Sequence, residues 1–336
     1  MARIFSGIQP SGELHIGNWL GAVRNWVNLQ HEYQSYYSIV DLHAVTGGTT
    51  DTATLRQQTL DMAIGLLAAG IDPEVATLFV QSHVPAHTEL MWLLNRVAPV
   101  GELERMTQYK DKSRGLESIP AGLLNYPILQ AADILLYRAD TVPVGEDQLQ
   151  HLEFAREIAR RWNHQFAGAT AFFPEPSGLE TPPVRILGLD GKGKMSKSRG
   201  NTIGILDSPE EIWQLLRPAK TDPARVTRKD PGNPDICNLY SLHQYFSPPE
   251  TVATVAEQCR TAGWGCLDCK RVLADNMAER LAPIREAAAV LAADERLVTD
   301  TLAAGAERAS AVANTTLGEV RERMGLLPKA SVSSTA

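Results

Sequence analysis

RIFSGIQPSGELHIGNWLGAVRNWVNLQ, residues 3–30, carries the decision about the fold. Arg3 to Ile8 is a short apolar run of strand length. It breaks at Gln9-Pro10-Ser11-Gly12, a turn composition. Beyond it Ile16, Leu20, Val23 and Val27 recur at helical spacing to about Gln30. The rhythm then repeats: a strand expected over 36–40, a helix over 54–69 closed by Gly70, a strand over 77–80 and a helix over 88–97. This alternation predicts an α/β chain with a Rossmann-like, doubly wound parallel sheet. A further strand is expected over 184–187. From Ser208 helices dominate, over 209–217, 237–246, 250–261, 268–292 and 296–324. The expected organisation is a Rossmann-like domain over 1–205 and a C-terminal helical domain over 206–328, followed by a disordered tail over 329–336. The last helix is expected to pack back on the first domain.

The chain has 336 residues and a formal net charge of -7, which argues against a protein that coats nucleic acid with a broad basic field. Its N-terminus lacks the charged start and apolar core of a signal peptide. Its longest apolar run, roughly 62–71, is too short to span a bilayer. The expectation is a cytoplasmic protein, no membrane, and cysteines that are not structural disulfides.

Against that acidic background GKGKMSKSRGN, residues 191–201, stands out. Lys192, Lys194, Lys197 and Arg199 lie among glycines and serines with no acid between them. Glycines beside lysines suit a loop that closes on phosphates. The spacing Gly188-x4-Gly193-Lys194 approaches a P-loop, but Met195 stands where that motif needs Ser or Thr for magnesium. In the opening stretch, Gly7, Gly12 and Gly17 allow close backbone approach, and His15 and Asn18 can donate to phosphate oxygens at a helix start. After the apolar 141–144 run, Gly145-Glu146-Asp147-Gln148 opens another helix. An acid there caps the helix or binds ribose hydroxyls.

HIGN at 15–18 resembles the HIGH signature of the class I aminoacyl-tRNA synthetases, and KMSKS at 194–198 matches their second signature letter for letter. SGIQPSG at 6–12, GELERMTQYKDKS at 101–113 and VGEDQ at 144–148 resemble the bacterial tryptophanyl-tRNA synthetase family, from about residue 3 to about 325. The resemblance implies ATP, L-tryptophan and tRNA(Trp) as partners, and a homodimer. It implies a two-step reaction: tryptophan carboxylate attacks the α-phosphate of ATP, and the 3′ end of the tRNA then takes the aminoacyl group. It assigns His15, Lys112, Lys194 and Lys197, with Mg2+, to the triphosphate. Gln9, Pro10, Ser11, Gly17, Asn18, Gly145, Glu146, Asp147, Met195, Ser196 and Ser198 would complete the ATP site. Asp147 and Gly145 would meet the ribose, and the backbone near Met195 the adenine.

NYPILQAADILLY, residues 125–137, reads as a helix entered through Pro127. Asp133 sits there among apolar neighbours, and an unpaired buried carboxylate is costly. The indole N–H is a donor only, so a carboxylate is its natural partner. The alternative is an Asp133 satisfied by nearby backbone or an arginine. By resemblance Phe5, Gly7, His43, Val142 and Val144 complete the indole pocket, with Tyr126 and Gln148 on the ammonium group. Gln130 stands where many members carry methionine. A glutamine there keeps a tyrosine-specific relative open, and a nucleotidylyltransferase with an HxGH-type helix start is a more distant alternative.

All four cysteines fall in the pattern Cys237-x21-Cys259-x6-Cys266-x2-Cys269. Four clustered thiolates with a C-x2-C pair suit Zn2+ or a [4Fe–4S] cluster. A minority of the family carries a similar framework with an iron–sulfur cluster, which favours [4Fe–4S] with Zn2+ as the alternative. Arg260, Lys270 and Arg271 beside these cysteines are expected to touch RNA phosphates.

Overall fold

The computed structural model describes residues 1–46, 53–145, 148–180, 186–193, 195–196 and 199–328. Five parallel strands, β1 (Arg3–Ile8), β2 (Gln34–Ile39), β3 (Thr77–Val80), β4 (Thr141–Val144) and β5 (Ser177–Glu180), form one sheet in the order β3-β2-β1-β4-β5. The order reverses between β1 and β4, and ligands of open α/β sheets bind outside the strand ends at such a switch point. There β1 runs into Gln9–Asn18 and β4 into Gly145 and Gln148. The β5 strand was not expected from the sequence. Half of the strand expected over 184–187 lies outside the described residues, as does the whole tail over 329–336.

Side chains alternate across the sheet, so β1, β2 and β3 each feed two cores. Ile4, Tyr37, Ile39, Leu78 and Val80 join a core that continues into Leu239, Leu242, Leu273, Leu281 and Val298 of the C-terminal helices. Phe5, Tyr36, Phe79 and Val142 face the other core, built on the helices Ala121–Leu136 and Leu149–Trp162. The last helix, Glu295–Arg323, returns to the sheet: a Cβ placed on Gly305 would collide with the Leu78 carbonyl oxygen, so only glycine allows this approach.

The helix expected over 16–30 is three joined pieces, Ile16–Asn18, a π-helical turn Trp19–Val23, and Arg24–Leu29. π turns inside helices cluster at functional sites. The helix carrying Asp133 starts at Ala121, entered through Pro120, and Pro127 lies buried inside it. The expected entry at Pro127 is therefore corrected. Proline favours a first turn, but here tertiary burial holds it within the helix.

Candidate active site

His15 caps the first helix. Its Nδ1 accepts from the backbone N–H of Gly17 at 3.1 Å and of Asn18 at 3.3 Å. An Nδ1 that accepts leaves the proton of a neutral ring on Nε2, which makes Nε2 the donor. A Cβ on Gly17 would lie 2.9 Å from the His15 ring and 3.6 Å from Met195 Cβ. Glycine is required there, and the lysine-rich segment passes directly above it. The chain following that segment docks beside the same turn: Ile16 N–H donates to the Ile203 carbonyl and Ile205 N–H to the Leu14 carbonyl, both at 2.9 Å. The two signature segments, 180 positions apart, thus meet at the end of β1. Gln9, Pro10 and Ser11 form a tight turn, with Ser11 N–H donating to the Gln9 carbonyl at 2.8 Å and Gly12 at φ 96°.

Asn201 and Asp190 brace the loop. Ser196 N–H donates to Asn201 Oδ1 at 2.8 Å, and Asn201 Nδ2 donates to Asp190 Oδ1 at 3.0 Å. The Lys192 N–H also donates to Asp190, which with Asn201 lowers the Asp190 pKa below the usual carboxylate value. Neither residue was singled out from the sequence. Lys194, Lys197, Ser198, Glu146 and Asp147 lie outside the described residues.

The second half of the site is a polar network buried in apolar walls. Asp133 Oδ1 accepts from Gln81 Nε2 at 2.8 Å and from His87 Nδ1 at 2.6 Å. Its Oδ2 accepts from His43 Nε2 at 2.9 Å. His87 Nε2 lies 2.8 Å from the Tyr137 hydroxyl. Burial alone would raise the Asp133 pKa; hydrogen bonds from His43 and His87 outweigh it and hold it at about 2. The partners are thus two histidines and a glutamine, not the backbone or arginine of the sequence alternative. Gln81, His87 and Tyr137 escaped sequence reasoning. The legible signal was QSHVPAH, residues 81–87, leaving the carboxyl end of a strand.

The other pocket residues gather around this network. The Tyr126 ring meets His43 edge-on at 6.3 Å, and Lys112 Nζ lies 5.5 Å above it. The Tyr126 hydroxyl lies 2.7 Å from His151 Nε2, and burial raises its pKa to about 12. Gln130 Nε2 donates to Gln148 Oε1 at 3.3 Å. Phe5 and Val142 are buried on the same side of the sheet. A Cβ on Gly7 would lie 2.8 Å from a Val40 methyl, so that strand end tolerates no side chain without a shift.

The four cysteines line one small cavity of about 20 Å3 with Asp222, Arg225, Pro234, Tyr240, Val255 and Trp264. Burial, then the charges of the other three cysteines, push the Cys269 thiol up to about 12. The backbone at Gly232 comes so close that a Cβ there would lie 2.6 Å from Cys259 Sγ. Among the described residues no group of three or more His, Cys, Asp or Glu side chains is set to hold a single metal ion. Four thiols are the donor set of a [4Fe–4S] cluster or of a zinc site, and the wall adds one charge of each sign, Arg225 and Asp222. Lys270 is corrected as an RNA contact: it is buried, and its ammonium donates to the Arg217 and Ala219 carbonyls, each at 2.7 Å. Arg271 stacks on Trp213 at 3.6 Å, and Arg260 pairs with Asp235 at 3.6 Å.

A doubly wound sheet with a histidine-capped turn at the end of β1 under a lysine-rich loop is the arrangement of a class I aminoacyl-tRNA synthetase. The family model for tRNA synthetases class I (W and Y) matches residues 1–282, and the chain belongs to that family. It is 56% identical to a tryptophan–tRNA ligase of Deinococcus radiodurans, over 97% of this chain and 99% of that relative. A tryptophan–tRNA ligase of Thermotoga maritima is 44% identical, over 97% and 99%. The crystal structure of a Campylobacter jejuni tryptophanyl-tRNA synthetase complexed with ADP and tryptophan matches with a TM-score of 0.88 and 34% identity, covering 96% of this chain and 100% of that one. No helix among the described residues is long and apolar enough to cross a membrane.

Proposed function

We infer that the chain is a tryptophan–tRNA ligase, which joins L-tryptophan to tRNA(Trp) through tryptophanyl-adenylate. The observation that carries this reading is the meeting of the His15–Asn18 turn with the lysine-rich segment, beside a buried ionised carboxylate at the same end of the sheet. In the first step a tryptophan carboxylate oxygen bonds to the α-phosphorus as the bond from that phosphorus to the bridging oxygen of pyrophosphate breaks. In the second a terminal ribose hydroxyl of the tRNA attacks the tryptophanyl carbonyl, and AMP leaves. No protein nucleophile is needed; the protein positions reactants and stabilises phosphate charge.

The roles follow from chemistry. His15 Nε2–H, Lys112, Lys194 and Lys197 face the triphosphate, which arrives with Mg2+, each well-placed donor worth roughly 3–4 kcal/mol in the transition state. Gln9, Pro10, Ser11, Gly17 and Asn18 line the nucleotide; Gly145, Glu146 and Asp147 meet the ribose side; Met195, Ser196 and Ser198 meet adenine and phosphates. Asp133 Oδ1 takes two donors from the protein and Oδ2 one, so Oδ2 keeps a lone pair for the donor-only indole N–H. Phe5, Gly7, His43, Val142 and Val144 enclose the ring, Tyr126 and Gln148 take the ammonium group, and Gln130 lines the pocket where many members carry methionine. Tryptophan-dependent exchange of pyrophosphate into ATP tests this. Exchange with tryptophan and none with tyrosine is expected; the reverse would overturn it.

Cys237, Cys259, Cys266 and Cys269 hold a [4Fe–4S] cluster in this reading. When bound it supplies cross-linking rather than chemistry, tying the helices Asn238–Phe246, Pro249–Arg260 and Cys266–Ala293 together. Anaerobically purified protein should carry about four irons and matching sulfide per chain; one zinc and no colour would replace the cluster by a zinc site. The region beyond residue 205 faces the tRNA in this reading, in the cytoplasm. The chain works as a homodimer, for which the exposed Trp92 and Val100 offer apolar surface; light scattering decides.

A further inference from the structure

Two residues that adjoin cysteines reach away from the cysteine cavity: Asn238 holds the stem of the lysine-rich loop directly, and Lys270 holds the helix end next to the residue that bonds the stem. Asn238 directly follows Cys237. Its Nδ2 donates to the Gly188 carbonyl at 3.0 Å and lies 3.4 Å from the Leu187 carbonyl. Lys270 directly follows Cys269, and its ammonium clamps the Arg217 and Ala219 carbonyls. The adjoining Lys220 N–H donates to the Leu189 carbonyl at 2.9 Å. Three consecutive stem carbonyls, of Leu187, Gly188 and Leu189, are thus gripped from the cysteine region. On its other side the stem is knitted to the loop: Gly188 N–H donates to the Gly193 carbonyl at 2.9 Å and Leu189 N–H to the Asn201 carbonyl at 3.0 Å. A Cβ on Gly188 would collide with the Asn201 amide, so the stem is packed tightly against the residue that braces the loop.

We propose that Asn238 is a positioning residue for amino-acid activation, setting the stem of the lysine-rich loop from the frame of the cysteine cavity. A change in that cavity is then felt at the loop, while the Asp133 pocket, built on the opposite face of the sheet, is left alone. The side chain touches no reactant. It acts through two backbone carbonyls, and a small displacement of phosphate-binding groups lowers a rate steeply. The proposal rests on reading the lysine-rich loop as the triphosphate clamp, and not on which metal the cysteines hold.

The test uses the full chain. Asn238→Asp keeps the shape and replaces the donor by an acceptor facing carbonyl oxygens. The kcat of tryptophan-dependent pyrophosphate exchange is expected to fall about tenfold, with KM for tryptophan unchanged. Amide hydrogen exchange should quicken over residues 187–193, and Asn238→Gln, which keeps the donor, should recover part of both. Cys237→Ser should quicken the same amides in the wild-type background and add little in the Asn238→Asp background, the mark of coupled sites. Wild-type kcat and wild-type amide protection in Asn238→Asp would overturn the proposal, as would strictly additive effects in the double variant. Inactive wild-type protein would strike the assigned reaction instead, and the amide readout would still judge Asn238. Metal content measured on the same samples separates the fate of the cluster from that of Asn238.

Discussion

The Asp133 pocket and the cysteine cavity both cluster titratable groups, the first fully buried and the second with Cys237 buried and three cysteines half-buried, and they solve opposite problems. In the pocket the protein satisfies its own charge: three side-chain donors converge on one carboxylate, and its pKa falls to about 2. In the cavity four thiols face one another, and burial with mutual repulsion pushes Cys269 up to about 12. The first site is complete before its ligand arrives. In the second, Cys259 and Cys269 are held toward the neutral thiol, and in the proposed reading a bound positive centre would offset that cost. A preformed site selects its ligand; a site of the second kind is also folded by it.

The contrast can be broken in stages. Lys197→Ala should have the largest effect on rate, lowering adenylation about 10²–10³-fold while tryptophan binding stays near wild type, because the donors to Asp133 are untouched. Equal losses in single-turnover rate and tryptophan affinity would show that the pocket is not preformed. Asp133→Asn comes next. It leaves His43 and His87 aimed at an amide and removes the charge they were built around, and breaking such a buried pair costs about 3–5 kcal/mol. Denaturant unfolding should show that loss, with KM for tryptophan rising well above any change in KM for ATP.

Gly232→Ala probes the other region. The added Cβ meets Cys259 Sγ, and overpacking of this kind costs about 1–3 kcal/mol. Metal content should drop, with the tryptophan KM unchanged; a changed KM would erase the separation between the two regions. The smallest effect is in acid. The folded Asp133 pKa lies below its ordinary value of 3.8, so its stabilisation is present in full above that value and is lost as pH falls through about 2. The shift corresponds to about 2 kcal/mol, and Asp133→Asn should flatten the acid limb of stability against pH.

Much of this was legible in one dimension. The strands at 3–8 and 77–80 and the long C-terminal helices follow from periodicity, because each buries a single face or an unbroken apolar run. The helix Ala121–Leu136 was misplaced at its start because Pro127 reads as an entry when only local propensity is weighed. The β5 strand Ser177–Glu180 escaped because its sequence, Ser-Gly-Leu-Glu, holds a single large apolar residue and so no apolar run, unlike the equally short Thr-Leu-Phe-Val of β3.

The sequence by itself determined the α/β class, the two signature segments, the clustering of the cysteines and the suspicion attached to Asp133. These are properties of residue type and spacing, and spacing along a chain is local. Only the tertiary structure decided that Asp133 is served by Gln81, His43 and His87, that Lys270 turns inward to helix-end carbonyls, and that Asn238 grips the stem of a loop some fifty residues earlier. Those facts depend on which backbone atoms end up adjacent once two cores have formed on either side of the sheet. A hydrogen bond is decided within about 3 Å, a scale at which no pattern along a sequence carries information about residues brought together by folding.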